Sequence, residues 1–105
     1  MTLLVLLLAA TLHTQAFNLN WQDTSDNETG FIVEQRKGDG SYLEIGRVDA
    51  NVTSFRAPAV TGALQSRWCY AVKAVNEIGE SGRAEGCGEI TGSVPEAPIN
   101  LLVQP

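Results

Sequence analysis

The sequence predicts an all-β domain, an antiparallel sandwich of about seven short strands, and three observations support this. Residues 67–76 alternate large apolar side chains (Trp68, Tyr70, Val72) with residues that can face outward, the period-two pattern of a half-buried strand. Ten glycines and four prolines punctuate a chain that lacks long runs of helix formers. Turn signals recur about every 8 to 12 residues, which leaves no room for the helical crossovers of a parallel sheet. A small closed barrel is the structural alternative.

The predicted strands follow one another along nearly the whole chain. Residues 16–21 alternate Phe17 and Leu19 with asparagines, and residues 82–90 return after the strand 67–76. Between them lie the predicted strands 30–36, 42–48, 51–57 and 60–64. Their apolar faces predict a core that includes Trp21, Phe31, Val33, Trp68, Tyr70 and Val72.

The charge balance limits the partners that the chain can bind. Twelve acidic residues against seven basic ones give a formal net charge of -5. Binding to DNA or RNA depends on lysines and arginines that neutralise phosphates, so we expect no nucleic acid partner. An acidic surface also disfavours adhesion to anionic lipid, and the sequence contains no stretch long enough for a transmembrane helix.

Cys69 and Cys87 lie on either side of a hairpin centred on Ile78. If its two strands pair without a bulge, the cysteines lie directly opposite each other, within reach of a disulfide bond. Both would point to the outer face of the sheet, opposite to the large apolar residues. A disulfide indicates an oxidising compartment, and two reduced thiols are the alternative. A zinc site is disfavoured because the only histidine, His13, belongs to another segment.

The first sixteen residues allow two interpretations. Residues 3–10 form an apolar run followed by polar residues and Ala16, which resembles a short signal peptide cleaved after Ala16. A signal peptide would require a lysine or arginine before this run, and the sequence has none there. Alternatively, residues 3–11 form the first strand, buried on both faces. We favour the first-strand interpretation of residues 1–16.

The end of the chain resembles a joint between repeated domains. Pro95 and Pro98 lie in a short Pro-rich segment, and residues 101–103 (LLV) then echo residues 7–9 (LLA) at about one domain length. Residues 1–93 are therefore predicted to form the domain. Residues 94–105 are predicted to form a linker and the possible start of a following repeat.

Several short motifs resemble the fibronectin type III family in their order and spacing. They are a strand ending in Trp21, residues 26–34 (DNETGFIVE), residues 42–45 and 51–55 on either side of a turn, the pattern Tyr70-x-Val72-x-Ala74-x-Asn76 ahead of Gly79, and the pair Leu7 and Ala9 upstream of Trp21. The likeness spans residues 7–92. It implies an antiparallel, seven-stranded, immunoglobulin-like β-sandwich.

Two positions depart from the family pattern. The family usually has a tyrosine where Trp68 stands, and its hydroxyl ties the strand to the preceding corner. An indole N–H can donate but cannot accept, so we expect a different corner here. The cysteine pair resembles that of bacterial-type variants in which the last two strands are clamped together.

Two polar loops are the candidate binding sites. The first loop carries Asp23, Asp26, Asn27 and Glu28, and the second carries Asn76, Glu77 and Glu80. The strand pattern alone leaves open whether they lie at opposite or adjoining ends of the sandwich. The spacing of the acidic residues does not match a calcium loop, and Asp and Asn are ordinary turn formers, so no metal site is predicted.

The sequence contains no nucleophile elbow or zinc-protease motif, and we expect no catalytic residues, no cofactor and no enzymatic activity. We expect instead a non-catalytic, secreted or cell-surface module that acts as a spacer or as a protein-binding, adhesive unit in a tandem array. Its partners would be neighbouring domains of the same chain and an extracellular protein or polysaccharide. The alternative is an accessory domain of a secreted carbohydrate-active or other hydrolytic enzyme, which would require exposed aromatic rings among Tyr42, Trp68 and Tyr70.

Overall fold

The computed structural model describes residues 11–92 and 97–104, and its secondary structure there consists of β-strands alone. The predicted all-β class is therefore confirmed. Within these described residues, eight strands form three antiparallel sheets. They are β1 (His13–Gln15), β2 (Asn18–Asn20), β3 (Gly30–Lys37), β4 (Leu43–Asp49), β5 (Ser54–Arg56), β6 (Val60–Gly62), β7 (Arg67–Val75) and β8 (Ala84–Glu89). No helix that could span a membrane is found in the described part of the chain.

The largest sheet has four strands in the order β4-β3-β7-β8. Its last two strands pair with Arg67 opposite Glu89 and Cys69 opposite Cys87, the register that a hairpin centred on Ile78 predicts. The cysteines form a disulfide with a Cα–Cα distance of 4.0 Å. The predicted cross-strand disulfide is thus present, and it joins neighbouring strands of one sheet.

The other four strands form two short ladders, β1 with β6 and β2 with β5. Gln15 lies opposite Val60 and Asn18 opposite Arg56, so the second ladder continues the first with an offset of one residue. Between the ladders the Ala57 N–H donates to the Phe17 carbonyl at 3.0 Å. An offset of this kind is typical of a bulge. It divides one strand pair of the described residues into the ladders β1–β6 and β2–β5.

The strand β1 was not predicted, because the sequence places the first strand at residues 3–11. That predicted strand lies outside the described residues except for Thr11, which is not in a strand. The alternative interpretation, a signal peptide cleaved after Ala16, would remove β1, which pairs with β6 over three residues. Residues 94–96 and 105 of the predicted linker also lie outside the described residues, as does residue 93 of the predicted domain.

Aromatic residues on either side of β2 contact the four-stranded sheet. The ring centroids of Phe17 and Tyr70 are 5.6 Å apart, and those of Trp21 and Phe31 are 5.5 Å apart. Of the predicted core residues, Phe31, Val33 and Tyr70 are buried, whereas Trp21, Trp68 and Val72 are half-buried. Trp21 and Val72 remain partly accessible to solvent because they line a groove between β2 and β8.

The opposite face of the four-stranded sheet is also packed at its centre. Cys69 and Ala71 alternate with Tyr70, as predicted, yet they are 0% and 1% exposed. The disulfide is therefore covered at Cys69, whereas Cys87 is exposed. On this face the guanidinium carbons of Arg36 and Arg83 lie 4.8 and 4.9 Å from the centroid of the Tyr42 ring. Long side chains thus form a second packed layer where simple alternation predicts solvent.

The corner that precedes β7 is built without the Trp68 indole. Trp68 Nε1 is buried and has no hydrogen-bond partner in the described residues. Gln65 has a φ of 68°, and its N–H donates to the Ile90 carbonyl at 2.7 Å, while the Ile90 N–H donates to the Ser66 carbonyl at 3.0 Å. Ser66 Oγ donates to the Ala63 carbonyl at 2.7 Å. The corner is therefore held by hydrogen bonds of Gln65, Ser66 and Ile90 rather than by the side chain at position 68.

Candidate functional site

Residues 22–29 and 76–82 lie together at one end of the domain, which we call the loop end. Gly30 lies opposite Val75, so the start of β3 and the end of β7 are neighbours. The Thr29 N–H donates to the Val75 carbonyl at 2.8 Å, and Asn76 Nδ2 donates to the Asn27 carbonyl at 3.1 Å. These bonds make the two predicted loops one continuous surface.

Asn76 organises the second loop. Its Oδ1 accepts hydrogen bonds from the Ile78 N–H at 2.9 Å and the Gly79 N–H at 3.2 Å, and its own N–H donates to the Gly79 carbonyl at 3.0 Å. An asparagine that bonds the backbone two residues on forms an Asx turn. Ser81 closes the loop, since its N–H donates to the Ala74 carbonyl and its Oγ accepts from the Ala74 N–H, both at 2.8 Å.

Ile78 is the residue that this turn presents to solvent. It is 90% exposed, the highest value among the large apolar side chains of the described residues. Sequence reasoning used Ile78 only as the centre of the hairpin and did not name it as a candidate. The available signal was an isolated large aliphatic residue between Glu77 and Gly79 at a hairpin tip. A single exposed aliphatic residue is normal on a protein surface. An exposed apolar side chain that is bordered by polar groups can mark an interaction site.

The first loop is held by its own carboxylates. The Ser25 N–H donates to Asp23 Oδ1 at 3.1 Å, and Ser25 Oγ donates to Glu28 Oε2 at 2.6 Å. A hydrogen bond with Glu28 raises the pKa of Asp23 above its ordinary value. The hydrogen bond from Ser25 lowers the pKa of Glu28. The pKa values of the two carboxyl groups are therefore displaced in opposite directions.

The loop end is acidic and open. A cleft of about 460 Å³ lies between the two loops, and its lining includes Asn27, Glu28, Asn76, Ile78 and Glu80. The carboxylates on the two loops are those of Asp23, Asp26, Glu28, Glu77 and Glu80. Glu80 alone among them forms a salt bridge in the described residues, with Lys73 Nζ at 2.9 Å. The other four carboxylates form no salt bridge in the described residues, so they give this end a negative charge.

The acidic residues of the loop end do not converge on a point. Within residues 11–92 and 97–104, no group of three or more acidic, histidine or cysteine side chains has the geometry to hold a metal ion. The carboxylates instead accept hydrogen bonds from their own loop, as in the pairing of Ser25 with Asp23 and Glu28. Chemically, the surface offers hydrogen-bond acceptors around one apolar side chain.

A comparison with the models of known protein families finds none that matches this chain.

Proposed function

We propose that this chain is a non-catalytic, extracellular β-sandwich module of the fibronectin type III kind, which spaces neighbouring domains and binds a protein through its loop end. The strand order β4-β3-β7-β8 and the aromatic contacts from Phe17 and Trp21 to this sheet support two facing layers. The resemblance of the sequence motifs supports the family. The Cys69–Cys87 disulfide supports an oxidising, extracellular location, because cytosolic thiols are kept reduced.

The exposure of Ile78 on an ordered turn is the observation that carries the binding role. Asn76 fixes the turn through two accepted hydrogen bonds, so little conformational freedom remains to be lost when a partner covers Ile78. Glu28 of the first loop and Glu80 of the second line the same cleft as this side chain. The matching surface on a partner would be an apolar pocket bordered by lysine or arginine.

Site-specific photocrosslinking tests this role in the cell of origin. The parent protein would carry p-benzoylphenylalanine in place of Ile78 or, as a control, in place of Leu64. Leu64 is 49% exposed and lies at the corner before β7, at the other end of this strand. We expect one defined crosslinked protein from position 78, absent from position 64 and reduced by Asn76→Ala. Equal products at both positions, or none at position 78, would reject binding through the loop end.

The alternative role as an accessory domain of a hydrolase receives no support from the aromatic residues. Binding of a polysaccharide by stacking requires exposed rings on one surface. Tyr70 is 4% exposed, and the Tyr42 ring is covered by Arg36 and Arg83. The large exposed apolar residues of the described chain are all aliphatic. A protein partner therefore fits this surface better than a polysaccharide does.

A further inference from the structure

An apolar groove separates β2 from β8 on one side of the domain. Its volume is about 310 Å³, and Phe17, Leu19, Trp21, Tyr70 and Val72 contribute apolar side chains to its lining. The groove lies on the side of the molecule and shares none of its lining residues with the loop-end cleft. It is therefore a second surface, independent of the proposed function.

Both strands that border the groove have a free edge in the described residues. There β2 pairs only with β5, and β8 pairs only with β7. The outer edge of such a strand presents unpaired N–H and C=O groups, which can pair with an added strand. The longer of the two edges belongs to β8, with six residues against three in β2.

Two glycines of β8 shape the groove differently. Gly88 lies opposite Trp68, and a Cβ at Gly88 would come within 2.5 Å of Phe17 Cε1, so the Phe17 ring already occupies this position. Gly86 lies opposite Tyr70, and a Cβ there would meet nothing within 4 Å. Glycine inside a strand often marks a place where another backbone approaches closely. The space beside Gly86 can thus receive side chains of an incoming strand.

The chain itself contains a segment with the matching chemistry. Residues 99–103 (INLLV) carry no charge, so the glutamates of β8 do not repel them. Their four large side chains are almost uncovered, with exposures of 84% for Ile99, 89% for Leu101, 75% for Leu102 and 82% for Val103. Four large apolar residues of this exposure within five positions are unusual on a soluble surface and mark an interaction segment.

We propose that residues 99–103 of one copy add as a strand to the β8 edge of a second copy and place apolar side chains in its groove. The donor segment and the acceptor groove are different surfaces, so the contact is heterologous and generates open, head-to-tail assemblies. A contact of five residues is small, so association is expected in about the micromolar to millimolar range.

Sedimentation velocity over a concentration series of the full chain tests this proposal. We expect concentration-dependent association that weakens at least about tenfold in the double variant Leu101→Glu/Val103→Glu. Gly86→Glu should weaken it similarly by placing a charge in the groove. Gly82→Glu is the matched control, because a Cβ there also meets nothing within 4 Å, and it should associate like the unchanged protein.

The double variant keeps the test valid if Gly86→Glu fails to fold, because its two positions are exposed and lie outside the strands. A monomer at all concentrations would overturn the proposal, as would association that neither substitution weakens. Isotope-filtered nuclear Overhauser effects in a mixture of labelled and unlabelled chains identify the occupant. Contacts between Tyr70 and Leu101 of different copies support the proposal. Contacts of Tyr70 with residues 3–10 of the same chain at every concentration would overturn it.

Discussion

Glu34 and Arg83 form an ion pair that crosses over an intervening strand. Glu34 lies on β3 and is 7% exposed, and Arg83 Nε donates to its Oε1 at 2.8 Å just before β8 begins. The strand β7 lies between β3 and β8, and it contributes Ala71 opposite Glu34. The small alanine side chain leaves space for Arg83 to reach across. The pair therefore connects the last hairpin to the centre of the sheet.

Removal of the Arg83 guanidinium should destabilise the domain. In Arg83→Met the Glu34 carboxylate keeps only Lys73, whose Nζ is 3.6 Å from Oε2. We expect the free energy of unfolding in urea to fall by about 1–2 kcal/mol, less than for a fully buried pair because Arg83 is half-exposed. Arg47→Met is the control, since Arg47 pairs with an exposed glutamate, Glu44, and should change stability far less than Arg83→Met does. Equal effects of the two substitutions would contradict this account.

The same pair predicts a loss of stability in acid. The hydrogen bond from Arg83, opposed by burial and aided by the charge of Lys73, lowers the pKa of Glu34 below its ordinary value of 4.5. A carboxyl group with a lowered pKa stabilises the fold fully above pH 4.5, and this contribution disappears as the pH falls through the folded-state pKa. Urea unfolding between neutral and strongly acidic pH should show this loss, and Arg83→Met should show less of it. An acid response that Arg83→Met leaves unchanged would assign the loss to other carboxylates.

The order and register of the last hairpin could be predicted because both depend on local information. Strand alternation over residues 67–76 and the positions of Cys69 and Cys87 determine one symmetric pairing, and the structure has it. The break between β1 and β2 could not be predicted, because it depends on the opposite strand. There Pro58, which has no N–H to donate, lies between β5 and β6.

The location of the loop end and the packing of the outer face depend on the order of the strands in the sheet. The alternation of apolar and polar residues along a strand does not reveal that order. The two candidate loops meet only because β3 and β7 are neighbours, so the sequence left their relative position open. Cys69 and Ala71 were predicted to face outward, and they do lie opposite to Tyr70. They are buried because Arg36, Tyr42 and Arg83, which come from distant segments, pack on that face.

The disulfide should contribute most of its stabilisation through the unfolded chain. Cys69 and Cys87 are separated by 18 positions, and closing a loop of this length is worth about 3 kcal/mol in the chain-entropy account. The double variant Cys69→Ala/Cys87→Ala should unfold at a lower denaturant concentration with a somewhat larger m-value, because its unfolded chain is no longer held compact by the crosslink. The unchanged protein in a strong reductant provides the control and should approach the variant. Identical midpoints for the oxidised protein and the double variant would contradict the prediction.

Gly30 should tolerate no side chain, because it begins β3 beside the backbone of β4. A Cβ at this buried position would lie 2.6 Å from the Val48 carbonyl oxygen, and a backbone atom cannot rotate away. We expect Gly30→Ala to lower the free energy of unfolding by about 1–3 kcal/mol. Gly86→Ala is the matched control, since its Cβ would meet nothing within 4 Å, and it should be neutral or more stable by up to about 1 kcal/mol. A neutral Gly30→Ala would show that β4 can move away from β3 at little cost.

Asn76 should determine the order of the turn that presents Ile78. Asn76→Ala removes the acceptor for the Ile78 and Gly79 N–H groups and the bond to the Asn27 carbonyl. Because these bonds are exposed, we expect a loss of about 0.5–1.5 kcal/mol in local stability. Amide hydrogen exchange at Ile78 and Gly79 should accordingly accelerate by up to about tenfold, while exchange in β3 stays unchanged. Glu77→Ala removes an exposed neighbouring side chain and should leave both rates as they are. If Glu77→Ala accelerated exchange as much as Asn76→Ala, the turn would owe its order to something other than the Asn76 side chain, and Ile78 would lose its ordered support.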